Sequence, residues 1–336
     1  MLVLVTGAGG FVGSHVVRQL LDQGHEVRAM ARRRISPDWA GKVELRQGDL
    51  ADMESLRAAV AGADAVIHTA ARSGIWGHLA EYMENNVMGT NRIMEAARQA
   101  GVKHFIHTSS YSVVHSSDSQ EGVDENKPYS LDVDAPYAYS KMLAERLVLT
   151  ANNPAFRTVV LRPHLVWGPG DPNIIPRLVE RARKGRLVLF SGGPYMVDAT
   201  YVDNVAKAHA LALEKLAAGA SIGGEAFFIG QDEPQDVNVF INKLLEAVKA
   251  PPAKRRVSKK LGRAAAKTIE GVWKIFDFMK EPPTTVFAAS QMSASHWSNL
   301  QKAKNLLGYV PEVSVEEGLR RLAQAAENGY AQPGKG

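Results

Sequence analysis

The sequence predicts an α/β protein: a doubly wound parallel sheet with a smaller, interleaved C-terminal domain. Three observations predict it. An apolar run, Met1 to Thr6, passes at once into a glycine-spaced turn and a helical pattern. Short apolar runs then alternate with helix-period segments through the first half, as a parallel sheet with helices on both faces requires. After Trp167 the alternation weakens, yet Ala226 to Ile229 reads as a strand returning to the sheet.

The elements follow in order. Met1 to Thr6 is the first strand, and G-A-G-G-F-V-G spans Gly7 to Gly13. A helix runs to Leu21, Gly24 closes it, and Glu26 to Met30 is the second strand. The glycine spacing is G-x-x-G-x-x-G, and each glycine has a separate physical task. Gly7 permits the turn, Gly10 lets the backbone approach a pyrophosphate, and Gly13 lets helix and strand pack closely. The helix start at Phe11 and Val12 supplies amide donors and a positive dipole end. This is a Rossmann-type dinucleotide site in its required strand–turn–helix context.

The end of the second strand selects the cofactor. A carboxylate there would bind the adenosine ribose and favour NAD. The sequence has Ala31 followed by Arg32, Arg33 and Arg34. Guanidinium forks match the 2′-phosphate of NADP, with Arg32 the first candidate and Arg33 the second. Further strands are expected at Val43 to Arg46, Ala65 to His68 and His104 to Thr108, with one long helix from Tyr82 to Gln99. Ligands bind at the carboxyl ends of such strands. Asp49 and Leu50, Ala70 and Ala71, and Ser109 and Ser110 stand at three of those ends.

The chemistry centres on A-P-Y-A-Y-S-K. Pro136 suits the first turn of a helix that continues to Leu149. Residues four apart share a helix face, so Tyr137 pairs with Lys141 and Tyr139 does not. An ammonium at that spacing is expected to lower the Tyr137 pKa and make it a proton donor to a carbonyl. Ser110 or Ser109 could bond the substrate oxygen. None of the ten histidines shows metal-ligand spacing, so no metal is expected. His107 reads as structural. His164 stands either in the core or at the border of the site.

Composition excludes other classes. The chain has 336 residues and no cysteine, so disulfides and thiolate zinc sites are out. The net charge of +5 does not call for nucleic acid. No leader is evident, and no apolar run approaches the roughly 20 residues that span a bilayer. A cytoplasmic protein is expected. One segment stands apart. Lys254 to Lys280 holds nine basic and two acidic residues, +7 net, which leaves −2 for the remainder. On a helix over about 259–280, Leu261, Ala265, Ile269, Val272, Phe276 and Met279 form an apolar stripe opposite Arg263, Lys267, Glu270 and Lys274. That stripe could cover the core or substrate pocket as a lid, lie on an anionic membrane or dock a partner.

T-G-A-G-G-F-V-G, H-T-S-S, Y-A-Y-S-K and L-R-P-H-L-V-W-G-P-G-D together resemble the extended short-chain dehydrogenase/reductase family along nearly the whole chain. The resemblance implies Ser110, Tyr137 and Lys141 as the catalytic groups. It implies cofactor contacts from Gly7, Gly10, Phe11, Val12, Gly13, Asp49, Leu50, Ala70, Ala71 and Pro163, with Tyr137 and Lys141 also reaching the nucleotide. NAD-dependent members carry aspartate where Ala31 stands, which implies NADPH here. Trp76, Asn86, Tyr111 and His164 are the substrate candidates. Within the family, A-A-R-S-G-I-W-G, I-P-R-L-V-E-R-A-R-K-G-R-L, E-P-P-T-T and G-Y-V-P-E-V-S-V-E-E-G-L-R-R-L resemble the branch of 3β-hydroxysteroid and sterol-4-carboxylate dehydrogenases. They resemble still more a bacterial subgroup that reduces β-keto acids bearing two alkyl chains in long-chain olefin biosynthesis.

The domains expected are a nucleotide-binding domain, 1–167 with about 198–232, and a substrate domain, 168–197 with about 233–330. Expected partners are a hydrophobic small-molecule substrate, other enzymes of the same pathway and a second copy of the chain. Steroid or sterol-4-carboxylate oxidation is the alternative activity. Ala31-Arg32 argues against a nucleotide-sugar epimerase. Intact Ser110, Tyr137 and Lys141 argue against a non-enzymatic dinucleotide sensor.

Overall fold

The computed structural model describes residues 1–35, 37–276, 278 and 281–330. Its centre is a seven-stranded sheet in the spatial order Glu225–Ile229, Arg157–Pro163, His104–Thr108, Ala65–His68, Leu2–Thr6, Glu26–Ala31 and Glu44–Gln47. Every pairing in this sheet is parallel. Thr6 aligns with Met30 and His68, and His68 with His107, so the carboxyl ends form one rim. The order reverses beside Leu2–Thr6, the switch point where such sheets bind ligands.

The inner strands are apolar on both sides because both sides are covered, whereas the edge strand Glu44–Gln47 is largely exposed. Val3, Val5, Ile67 and Ile106 join one buried cluster, while Leu4, Val66 and Phe105 join another. Helix Phe11–Asp22 packs with helix Val202–Ala217 on the first face. The latter helix is lined with buried small residues, Ala206, Ala208, Ala210 and Ala212.

Three features depart from the expected elements. The stretch Tyr82 to Gln99 is not one regular helix. It is helix Leu79–Tyr82, a π-helical turn over Met83–Met88 and helix Gly89–Gln99. Single π turns recur at functional sites, where they re-aim a side chain, and here Asn86 lies inside the turn. Second, the short strand Gln120–Val123 pairs with His296–Ser298, in a four-stranded sheet completed by Met196–Val197 and Gln235–Asp236. Trp167, Ile175, Leu189, Phe240 and Leu322 form the core beside that sheet.

Third, the basic helix spans Lys259–Ile275, capped by the Ser258 hydroxyl. Asp277, Met279 and Lys280 of the expected span lie outside the described residues. Its apolar stripe does not face the core. Leu261 is 63 % exposed and Phe276 66 %, whereas Ala266 and Glu270 are buried. The reason is close packing by small residues. A Cβ on Gly262 would come within 2.3 Å of the Phe190 ring, so only glycine lets the helix settle there. Glu270, expected on the outer face, accepts the Val286 backbone N–H at 2.6 Å. Among the described residues no helix is long and apolar enough to cross a membrane.

Candidate active site

The glycine turn forms a cradle that side chains would fill. Gly7 has φ +71°, and a Cβ there would meet the Ala70 backbone at 2.7 Å. A Cβ on Gly13 would meet the Gly7 carbonyl oxygen at 2.3 Å and Thr69 Oγ1 at 2.7 Å. Gly10 N-caps the helix and offers no side-chain cap. The first amides, at Phe11 and Val12, are therefore left for an anion such as a pyrophosphate. A dinucleotide fits this donor set. Gly13→Ala is expected to weaken nucleotide binding by at least about tenfold, because the helix start must shift away from the strand; fluorescence titration with NADPH measures it.

At the adenosine end, Ala31 closes its strand, and Arg32 and Arg33 are exposed. Neither guanidinium has an ion-pair partner among the described residues. Asp49 accepts the Ala51 N–H at 2.9 Å, which shapes the turn after Glu44–Gln47. Leu50 is buried against Gly89. Ala70 backs the cradle, and Ala71 follows it on the surface.

Pro136 opens helix Pro136–Thr150 at its first turn. Tyr137 lines a narrow crevice with Ile75, Ala135, Pro136, Ala138 and Phe287, and the nearby Ser110 hydroxyl pulls the pKa of its phenol down. Tyr139 packs on the core. Ser109 is not available to a ligand, since its hydroxyl donates to Glu145 at 2.5 Å. Ser110 also accepts from Ser112 Oγ at 2.9 Å. Pro163 ends its strand, buried at the rim.

Lys141 follows one turn later and is fully buried. Its ammonium donates to the Thr108 carbonyl at 2.6 Å and lies 3.2 Å from His107 Nε2. Burial brings the Lys141 pKa down to about 7, against the opposing pull of Glu145. The expected lowering of the Tyr137 pKa is overturned. Burial raises it, and the nearby Ser110 hydroxyl offsets only part of that. The physical reason is direction: Lys141 spends its charge on the strand end, and desolvation of the phenol wins.

His107 is therefore more than core filling. Burial holds it neutral, so it can accept from Lys141. Its ring lies 5.3 Å from that of His68, which bonds Thr6 and Thr90. Glu145 was not anticipated either. It is buried, accepts from Tyr129 at 2.8 Å and pairs with Arg162 at 2.6 Å. This network locks helix Pro136–Thr150 to the Arg157–Pro163 strand. The signal lay in Y-A-Y-S-K-M-L-A-E and L-R-P, where a charge stands within an otherwise apolar pattern.

The substrate candidates divide. Trp76 follows the crevice residue Ile75, its indole N–H donating to the Phe278 carbonyl at 2.9 Å. Asn86 instead clamps the backbone: it accepts the Arg72 N–H at 2.7 Å and donates to the Arg72 carbonyl and to Ser140 Oγ. Its amide is consumed in holding the Ala70–Gly77 loop to the catalytic helix, a correction to its reading as a substrate contact. Tyr111 is also reassigned. It is buried, bonds Gln120 and packs its ring 4.0 Å from His164. His164 stacks on His296 with Nε2 3.0 Å from Nδ1 of that residue. Both belong to an aromatic stack in the interior, because strand Gln120–Val123 and His296 close over them.

Comparisons with known proteins agree with this geometry. The sequence model of the 3-beta hydroxysteroid dehydrogenase/isomerase family matches residues 4–259. The chain is 44% identical over 324 residues to the 2-alkyl-3-oxoalkanoate reductase of Stenotrophomonas maltophilia, covering 96% of this chain and 98% of that one. It is 33% identical to the mouse decarboxylating sterol-4-alpha-carboxylate 3-dehydrogenase, over 96% of this chain and 90% of the relative. Among solved structures it resembles a UDP-glucuronic acid 4-epimerase from Bacillus cereus, in complex with UDP-glucuronic acid and NAD, with a TM-score of 0.74 and 25% identity over 98% of this chain and 99% of that one. A glycine cradle that fits a dinucleotide and a family match over most of the chain lead to one conclusion: this protein belongs to the 3-beta hydroxysteroid dehydrogenase/isomerase family of extended short-chain dehydrogenases/reductases and is a nicotinamide-dependent oxidoreductase.

Proposed function

We propose that this chain is a cytoplasmic, NADPH-dependent reductase that converts the ketone of a 2-alkyl-3-oxoalkanoic acid to the 2-alkyl-3-hydroxy acid, a step of long-chain olefin biosynthesis. The observation that carries the proposal is Tyr137 lining an apolar-walled crevice with Ile75 and Phe287, in a chain 44% identical to a reductase of that name.

Hydride for the ketone carbon is what the reduced nicotinamide supplies when bound. The chain's own residues do the rest. Tyr137 has a raised pKa, so it carries its proton at neutral pH and donates it from Oη to the ketone oxygen. Ser110 bonds the same oxygen and then the phenolate, stabilising charge where it develops. Lys141, buried one turn behind with its pKa brought down to about 7, positions the nucleotide ribose. Ile75 and Phe287 wall the crevice beside Tyr137, and the Trp76–Phe278 bond closes its approach. Such closure suits a β-keto acid, which must be reduced before it loses CO₂.

The test follows consumption of NADPH with a racemic 2-alkyl-3-oxo acid, a 3-ketosteroid and a UDP-sugar. Turnover of the keto acid supports the proposal; turnover of the steroid alone overturns it in favour of the sterol reading, which the 33% identical mouse relative favours. Arg32 and Arg33 carry the NADPH preference. Replacing both by Ala is expected to raise KM for NADPH by about 10–100-fold, the worth of one or two charge-assisted bonds, and to leave KM for NADH within about twofold. Steady-state kinetics with the two nucleotides checks this.

A further inference from the structure

We infer that the outer face of helix Lys259–Ile275 docks the protein on an anionic phospholipid surface. The inference rests on surface geometry and stands whether or not the proposed substrate is right. The helix turns Gly262, Ala266 and Glu270 inward, so its opposite side is bare. At about 100° per residue, that outer side presents Leu261, Ala265, Val272, Ile275 and Phe276 in one band. Ile275 is 79 % exposed. Single exposed apolar residues are ordinary, but a contiguous band marks an interaction surface.

The charges identify the partner. Lys260, Lys267 and Lys274 recur every seven residues and so line one edge of the band. Lys260 and Lys267 have no ion-pair partner among the described residues. Lys254, Arg255 and Arg256 are exposed just before the helix. A band of Leu, Val, Ile and Phe edged by lysines fits acyl chains beneath anionic headgroups. The charge is also segregated: +7 lies on Lys254 to Lys280 and −2 on the rest of the chain.

The band leads to the crevice over Tyr137. Lys274 pairs with Asp134 at 2.7 Å. Asp134 belongs to the loop just before Pro136, and Leu131 and Val133 in that loop are exposed as well. Phe276 stacks on Phe278, whose carbonyl holds Trp76. A lipid surface meeting this band would lie beside the substrate entrance.

The experiment is co-sedimentation of the full chain with vesicles of phosphatidylcholine alone and of phosphatidylcholine mixed with phosphatidylglycerol. Binding to the anionic vesicles is expected, weakening as salt rises through about 0.15 M. Lys260→Ala with Lys267→Ala should lower partitioning about 25-fold, about fivefold for each lysine near the surface. Ile275→Glu with Phe276→Glu should lower it at least about tenfold. Thermal melting and NADPH titration check that both variants are folded. Absence of binding to the anionic vesicles overturns the inference, as does undiminished binding of the Glu variant. Light scattering that shows a dimer in vesicle-free buffer, dissociated by the Glu variant, also overturns it, because a second copy then covers the face.

Discussion

Tyr137→Phe is expected to lower kcat by about a thousandfold while leaving the affinity for NADPH within about twofold. The substitution removes one oxygen, the atom proposed to deliver the proton, and keeps the ring that lines the crevice with Ile75 and Phe287. Nucleotide binding rests elsewhere, on the cradle of Gly7 and Gly13 and on the rim at Ala70. Tyr139→Phe should change kcat by less than about twofold. Tyr139 lies about 200° around the helix from Tyr137 and packs on the core. Rapid-mixing measurement of NADPH consumption and a separate binding titration distinguish the two effects. A large loss in the Tyr139 variant with a small one in the Tyr137 variant would place the chemistry on the other helix face and sink the proposed mechanism.

Arg162→Leu is expected to cost about 3–5 kcal/mol of folding stability. The change leaves Glu145 without its cation in a place where water does not reach: both side chains of the pair are almost fully buried, at 4% and 0% exposure. Glu145 also holds Ser109 and Tyr129, so its displacement should loosen the rim next to Ser110 and reduce kcat as well. Arg162→Leu combined with Glu145→Leu should recover much of the stability, since an apolar pair of similar volume replaces the ion pair without stranding a charge. It should not recover activity, because Ser109 stays unanchored. Urea unfolding of the two variants beside their kcat values tests both parts. Equal stability of the single and double variants would show that the pair does not act as a unit.

Much of the architecture was legible from residue order. The strands of the main sheet announce themselves because a sheet covered on both faces needs unbroken apolar runs, as in Ala65–His68 and His104–Thr108. Strand Gln120–Val123 was not legible. Its residues, Q-E-G-V, carry no apolar alternation, and its partner His296–Ser298 lies far along the chain. The π turn at Met83–Met88 was hidden for another reason: a helical repeat of apolar residues is compatible with one widened turn, and the Asn86 bonds to Arg72 and Ser140 decide it. The sequence left the orientation of the basic helix open between a lid and an outward-facing stripe; Gly262, close against Phe190, and buried Ala266 decide it.

By itself the sequence determined the inner strands of the sheet, the cradle and the helix face that Tyr137, unlike Tyr139, shares with Lys141. These follow from local rules: what each glycine permits, and which residues share a helix face four positions apart. Only the tertiary structure decided what surrounds them. It turned Lys141 onto Thr108 and His107, raised the Tyr137 pKa by burial and joined Glu145 to Arg162 across two elements. It also withdrew Asn86, Tyr111 and His164 into the framework. Burial and long-range hydrogen bonds depend on distant segments that meet only when the chain has folded, so no local spacing records them.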